Sequence, residues 1–253
     1  MRLEERPANG GPTIVLVHGS GHTARVWAPV QAHLTHASLA VDLPGRADRV
    51  ADIGDVTLDA AAASLAAAVH ETVNGLVVLV GHSAGGIVLP ALTAGLGVRV
   101  EHLVFVAGLA AAHGHAVIET VRPDVADELG DRLEALREEF AGCMLEPAPG
   151  VDGMRVIDAK TAAPLDSLNY MAQTVSWSGV PAALPRTFVR CTRDRIQPRA
   201  LQAALIENCG ATTIVDLESG HTPALAVPEE LAAILDRIAA RSPTSTARAI
   251  IDE

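Results

Sequence analysis

Apolar residues recur along this chain in two rhythms. Residues 13–17, 38–43, 76–80, 100–106, 186–191 and 212–217 are short runs rich in β-branched side chains, the pattern of strands buried on both faces. Between them the apolar positions fall at helical spacing over 24–34, 58–73, 87–96, 198–208 and 224–240. In 24–34, Val26, Trp27, Val30 and Leu34 share one side, and Thr57 or Asp59 caps the start of 58–73. Strands alternating with helices predict an α/β fold, a mostly parallel sheet with helices on both faces.

The alternation lapses between residues 109 and 180. That stretch holds helix-like pieces at 125–140 and 166–175 around a bend, Glu146-Pro147-Ala148-Pro149-Gly150. It is expected to form a helical cap over the carboxyl ends of the strands. Residues 1–108 and 181–240 then make the core, with a polar lead-in at 1–12 and a flexible C-terminal tail at 241–253.

Composition narrows the partners. The 253 residues suit one α/β domain with an insertion. A net charge of −11 argues against nucleic acid or an anionic membrane, which need basic patches. Cys143, Cys191 and Cys209 show no paired spacing, and Met1–Arg6 opens no apolar leader, so a cytoplasmic protein is expected. No apolar run approaches about 18 residues, the length a membrane span needs.

The candidate chemistry centres on Gly81-His82-Ser83-Ala84-Gly85, between an apolar strand and a helix. Any strand-to-helix turn can match so short a pattern, but in this context it reads as a nucleophile elbow with Ser83 at its tip. An unassisted serine hydroxyl is a poor nucleophile at neutral pH and needs a base, itself oriented by an acid. His221, in the loop between the last strand and last helix, is the base candidate by chain order. Asp194, just after the 186–191 strand, is the acid candidate; Asp216 lies inside a strand and Glu218 is nearly adjacent to the histidine. Ala84 N–H and Ser20 N–H, from the loop His18-Gly19-Ser20-Gly21, are the candidate oxyanion donors. Gly19 and His82 beside the nucleophile, with Met144, Leu145, Met171 and Trp177 of the cap, are candidate substrate contacts; the cap residues serve packing equally well. His113-Gly114-His115 lacks a convincing third ligand, so no metal is expected, and no glycine pattern here binds a dinucleotide or cradles a phosphate.

Five motifs occur in register: His18-Gly19-Ser20-Gly21 with Trp27, Asp42-Leu43-Pro44-Gly45, Gly81 to Gly86, Thr192-Arg193-Asp194, and Ser219 to Pro223. Together they resemble α/β-hydrolases, especially the branch of plant methyl-ester esterases and hydroxynitrile lyases, over roughly residues 13–240. The resemblance implies the α/β-hydrolase fold. In the lyases of that branch, threonine stands where this chain has Gly19 and lysine where it has Thr222, which points to an esterase-like member. The expected activity is carboxylesterase-like hydrolysis of an ester, thioester or lactone of a small to medium, largely apolar molecule through acyl-Ser83, with no cofactor. The alternatives are a lyase, cyclase or perhydrolase on the same groups, or a ligand-binding protein on the same scaffold. The expected partner is a small-molecule substrate, with neither nucleic acid nor membrane; a homodimer stays open.

Overall fold

A β-branched run opens the fold as β1 (Thr13–Val17), four of its five residues buried. It pairs in parallel with β2 (Ser38–Val41) on one side and β3 (Val77–His82) on the other. β4 (Val100–Val106), β5 (Arg186–Cys191) and β6 (Thr213–Leu217) continue the sheet from β3, all parallel, giving the order β2-β1-β3-β4-β5-β6. The computed structural model describes residues 11–46, 57–121 and 170–241, with residue 123 and the short stretches 146–147 and 154–155.

Side chains alternate between sheet faces, and here both faces are covered. Val15, Val17, Leu79, Leu103, Phe105 and Phe188 pack under α2 (Leu58–Thr72) and α3 (Leu89–Leu96). Ile14, Leu16, Val78, Val80, Val104, Val106 and Val189 pack on the other face, under the helical segment at 24–33 and the last helices. That double burial is why the strands read as unbroken apolar runs.

Proline places the helix boundaries that periodicity alone misses. The helix expected over 24–34 is a 3₁₀ turn, Ala24–Trp27, followed by α1 (Ala28–His33) with Pro29 in its first turn. The helix expected over 87–96 begins as a 3₁₀ turn, Ser83–Gly86, and becomes α3 only at Leu89, beside Pro90. The helix expected over 224–240 is interrupted at Val227 and Pro228. In each case proline has no N–H to close the preceding turn, so it starts a new helix. After α4 (Val117–Val121) and α5 (Arg199–Cys209), those last two pieces are α6 (Pro223–Ala226) and α7 (Pro228–Ala240).

The described ends of the expected cap belong to the main core. Leu109, Ala111, Val117, Tyr170, Val175 and Val180 are buried with α2 and α3, and Ala116 bridges Thr174 in antiparallel fashion. Where a Pro/Gly bend is expected, Glu146–Pro147 pairs with Met154–Arg155 as a two-stranded antiparallel ladder. The helix expected over 125–140, residues 166–169 of the one over 166–175, and the tail beyond Arg241 lie outside the described residues; of 170–175, only residues 170–172 are helical. No helix among the described residues is long and apolar enough to cross a membrane.

Thr57 caps α2, its hydroxyl accepting from the Ala60 N–H at 3.1 Å. Thr57→Ala is expected to lower stability by about 1 kcal/mol, read as a shift in urea midpoint with an unchanged slope.

Candidate active site

The turn after β3 leaves no room for side chains. A Cβ at Gly81 would lie 2.7 Å from the Gly85 carbonyl, and one at Gly85 would lie 2.5 Å from the carbonyl of His18. Ser83, between them, adopts φ 49°, a left-handed conformation that costs a residue with a Cβ about 1 kcal/mol or more. Its carbonyl accepts the Leu109 N–H at 2.8 Å, so the loop after β4 holds the turn in place. The serine is only 8% exposed.

Three loops bring the polar chain together. His221 Nε2 lies 3.0 Å from Ser83 Oγ, and His221 Nδ1 lies 2.7 Å from Asp194 Oδ2. The other Asp194 oxygen accepts the N–H groups of Ile196 at 2.8 Å and Gln197 at 2.9 Å, and its side chain is fully buried. With Asp194 ionised, Nδ1 carries the proton and donates it to the carboxylate. That leaves the Nε2 lone pair facing the serine hydroxyl, the tautomer a general base requires. The rival acids are engaged elsewhere: Asp216 pairs with Arg190 through contacts of 2.6 and 2.9 Å, and Glu218 pairs with Arg193.

The loop after β1 crosses the front of the serine. Gly19 is there because a Cβ would meet His82 Nδ1 and Ser83 Cβ, each at 2.9 Å. Ser20 N–H makes no hydrogen bond among the described residues, and Ala84 N–H lies in the first turn of the 3₁₀ segment, where backbone donors have no partner within the helix. Both are therefore without a main-chain acceptor, as a candidate oxyanion donor must be. The loop is tied down at both ends. His18 Nδ1–H donates to the Gly19 carbonyl at 2.8 Å, while its Nε2 accepts the Leu43 N–H at 3.2 Å. Asp42 Oδ1 accepts the Ala24 N–H at 2.6 Å. An accepting Nε2 makes His18 neutral, and burial holds its pKa down at about 3, so its 3.7 Å approach to Asp42 is no ion pair.

His82 lies behind the serine. Its Nε2–H donates to the His221 carbonyl at 2.8 Å, and burial depresses its pKa to about 3. His22, beyond Gly21, places its ring 6.0 Å from that of His82; burial, followed by the nearness of His221, lowers its pKa. Among the other candidates, Met171 is partly buried against the core under α2 and α3. Trp177 donates its indole N–H to the Ala111 carbonyl at 2.9 Å and carries the Arg186 guanidinium 4.6 Å over its ring, at the start of β5. These contacts make Trp177 a brace on the sheet face. Met144 and Leu145 lie outside the described residues. His113 Nδ1 accepts the Trp177 N–H and His115 pairs with Glu119, and no group of metal-ligating side chains occurs among the described residues.

Sequence reasoning missed the tethers: His18 to Leu43, Asp42 to Ala24, His82 to His221 and Leu109 to Ser83. A histidine closing a buried strand was a signal for the first and third. Nothing in the pattern flagged the other two, and in all four the partner is a main-chain group that side-chain type does not mark.

Residues 14–234 match the family model described as alpha/beta hydrolase family. Lipase LipV of Mycobacterium tuberculosis is 30% identical over 248 residues, spanning 91% of this chain and 95% of that protein. Norfluorocurarine synthase 2 of Strychnos nux-vomica is 25% identical over 259 residues, spanning 89% and 94%. The crystal structure of the pyrethroid hydrolase PytH superposes with a TM-score of 0.69 at 21% identity, covering 91% of this chain and 98% of that one.

Two outcomes are expected. Gly19→Ala pushes a methyl group against His82 and Ser83, so fluorophosphonate labelling of Ser83 slows on the order of 10²-fold and the thermal unfolding midpoint falls as well. His18 and His82 have folded pKa values near 3, below the ordinary 6.5, so the stability they confer is complete above pH 6.5 and is lost as pH falls towards 3. Between pH 6 and 4 each adds a slope of about 1.4 kcal/mol per pH unit, read from urea midpoints.

Proposed function

The chain belongs to the alpha/beta hydrolase family, and on that premise we propose that it is a serine carboxylesterase. It hydrolyses an ester, thioester or lactone of a small to medium, largely apolar molecule. The observation that carries this reading is the unbroken relay from Ser83 Oγ through His221 to Asp194, at 3.0 and 2.7 Å.

Ser83 attacks the substrate carbonyl as His221 Nε2 takes its proton. Asp194, its second oxygen already held by two backbone N–H groups, keeps the ring oriented and stabilises the imidazolium. Ser20 and Ala84 N–H groups bind the tetrahedral oxyanion. The imidazolium then protonates the leaving alcohol or thiol, and acyl-Ser83 remains. Water, activated by the same histidine, releases the acid. Every step uses groups of the chain itself, and no cofactor enters.

The relatives favour this class. LipV is named a lipase and PytH a hydrolase of pyrethroids, and this chain aligns with each over about nine-tenths of its length. A second reading has one observation behind it: norfluorocurarine synthase 2, similar over 89% of this chain, carries a synthase's name. In that reading His221 and Asp194 move a proton without an acyl-enzyme.

Fluorophosphonate labelling with p-nitrophenyl acetate to octanoate turnover separates the two. Wild type is expected to be labelled at Ser83 and to turn over the esters. Ser83→Ala loses both, and Asp194→Asn loses about 10⁴-fold in kcat with little change in folding. A folded wild type that is never labelled, or proton-transfer activity that survives Ser83→Ala, overturns the esterase reading in favour of the second.

A further inference from the structure

We propose that His82 is a positioning residue of this site: by donating its Nε2–H to the His221 carbonyl it fixes the base-bearing loop to the nucleophile elbow and braces both against the loop after β1. The inference rests on the esterase reading.

Strand alternation places His82 on the same sheet face as Val78 and Val80, in a row that is otherwise apolar. The ring is 1% exposed and meets the Trp27 indole edge-on, with centroids 6.3 Å apart. A leucine would satisfy such a position by packing alone. The histidine instead leaves its buried Nδ1 without a hydrogen-bond partner among the described residues, which is unfavourable for a group shut away from water. A buried polar group that breaks the local pattern calls for a compensating role. Its one hydrogen bond supplies that role.

That bond matters because Asp194 orients the ring of His221 but little holds its main chain. Among the described residues, the His82 donor is the only hydrogen-bond partner of the His221 main chain. The flanking loop is tied at Ser219, whose carbonyl accepts the Arg193 N–H at 3.0 Å, and at Thr222, whose carbonyl accepts the Leu225 N–H at 3.2 Å. Between these points the His221 backbone is held by His82, the residue immediately before the nucleophile. A shift in the elbow therefore moves the clamp with it, and the separation of 3.0 Å between base and serine is kept. His82 Nδ1 and its carbonyl also occupy the space in which a side chain at position 19 would sit. One residue thus touches the elbow, the base loop and the oxyanion loop.

The charge state suits the task. His18, His22, His221 and Asp194 are the titratable groups that interact with His82. Its ring centroid is 5.2 Å from that of His221, so a second cation there would oppose the imidazolium formed during acyl transfer. Burial keeps His82 neutral, a permanent donor through Nε2–H.

Two variants and one spectrum test this. His82→Leu keeps apolar packing and removes the donor; His82→Gln carries an amide N–H at comparable reach. The Leu variant is expected to lose on the order of 10²-fold in kcat for p-nitrophenyl esters with KM nearly unchanged, and to slow in fluorophosphonate labelling in parallel. The Gln variant is expected to recover most of that loss. Nitrogen-15 NMR of wild-type histidines should show His82 as the Nε2–H tautomer, uncharged from pH 8 to pH 5. A His82→Leu enzyme with wild-type kcat, a Gln variant no better than Leu, or a His82 whose neutral ring carries its proton on Nδ1 overturns the positioning role. If instead wild type is never labelled while the spectrum shows the expected tautomer, the esterase reading fails and takes the catalytic purpose of the clamp with it.

Discussion

The structure turns on a contact between two backbones. The helical turn after Ser83 rests so closely on the end of β1 that a single methyl group at Gly85 would sit 2.5 Å from the His18 carbonyl. That proximity forces Ser83 into its left-handed conformation and lifts its hydroxyl out of the sheet. It also places the first N–H groups of the turn beside the loop that leaves β1, so the candidate nucleophile and the candidate oxyanion donors share one small space. Strain of about 1–3 kcal/mol at the serine is borne because the surroundings over-determine it. Gly81 packs against Gly85, and the Ser83 carbonyl is held by Leu109.

A fully parallel sheet makes the rest possible. All six strands end at one edge, so the loops after β1, β2, β3, β5 and β6 meet there, whatever their distance in the chain. They are joined by polar contacts rather than by apolar packing. His18 meets Leu43, Asp42 meets Ala24, Arg193 meets Ser219, and His82 meets His221. Each is a single hydrogen bond of modest net worth. Collectively they set distances of 3.0 and 2.7 Å in a relay whose members lie 27 and 138 positions apart.

Burial decides which histidines stay neutral. His18 and His82 are enclosed and carry pKa values near 3, so neither competes with His221 for a proton at working pH. Each is locked in one tautomer by its partners, His18 with the proton on Nδ1 and His82 with it on Nε2. His82, its ring 5.2 Å from that of His221, thus stands beside the candidate base as a fixed dipole.

Much of this was legible in the chain before folding. Unbroken β-branched runs mark strands covered on both faces, and period and length locate the helices between them, because burial is encoded locally in side-chain type. The pentapeptide around Ser83, with His221 and Asp194 downstream in a recognised order, named the relay for the same reason: the chemistry requires those residue types. Proline 29, 90 and 228 carried helix boundaries that the apolar rhythm concealed. What only the tertiary structure decided was the partnering. Asp194 is distinguished from Asp216 and Glu218 by arginines that neutralise those two, and Trp177 is a brace because Arg186 and the Ala111 carbonyl come to it. The tethers of His18, Asp42 and His82 end on main-chain atoms, which every residue possesses. No side-chain pattern can mark a carbonyl as a partner, so such a contact exists only once the sheet has brought distant loops to the same edge.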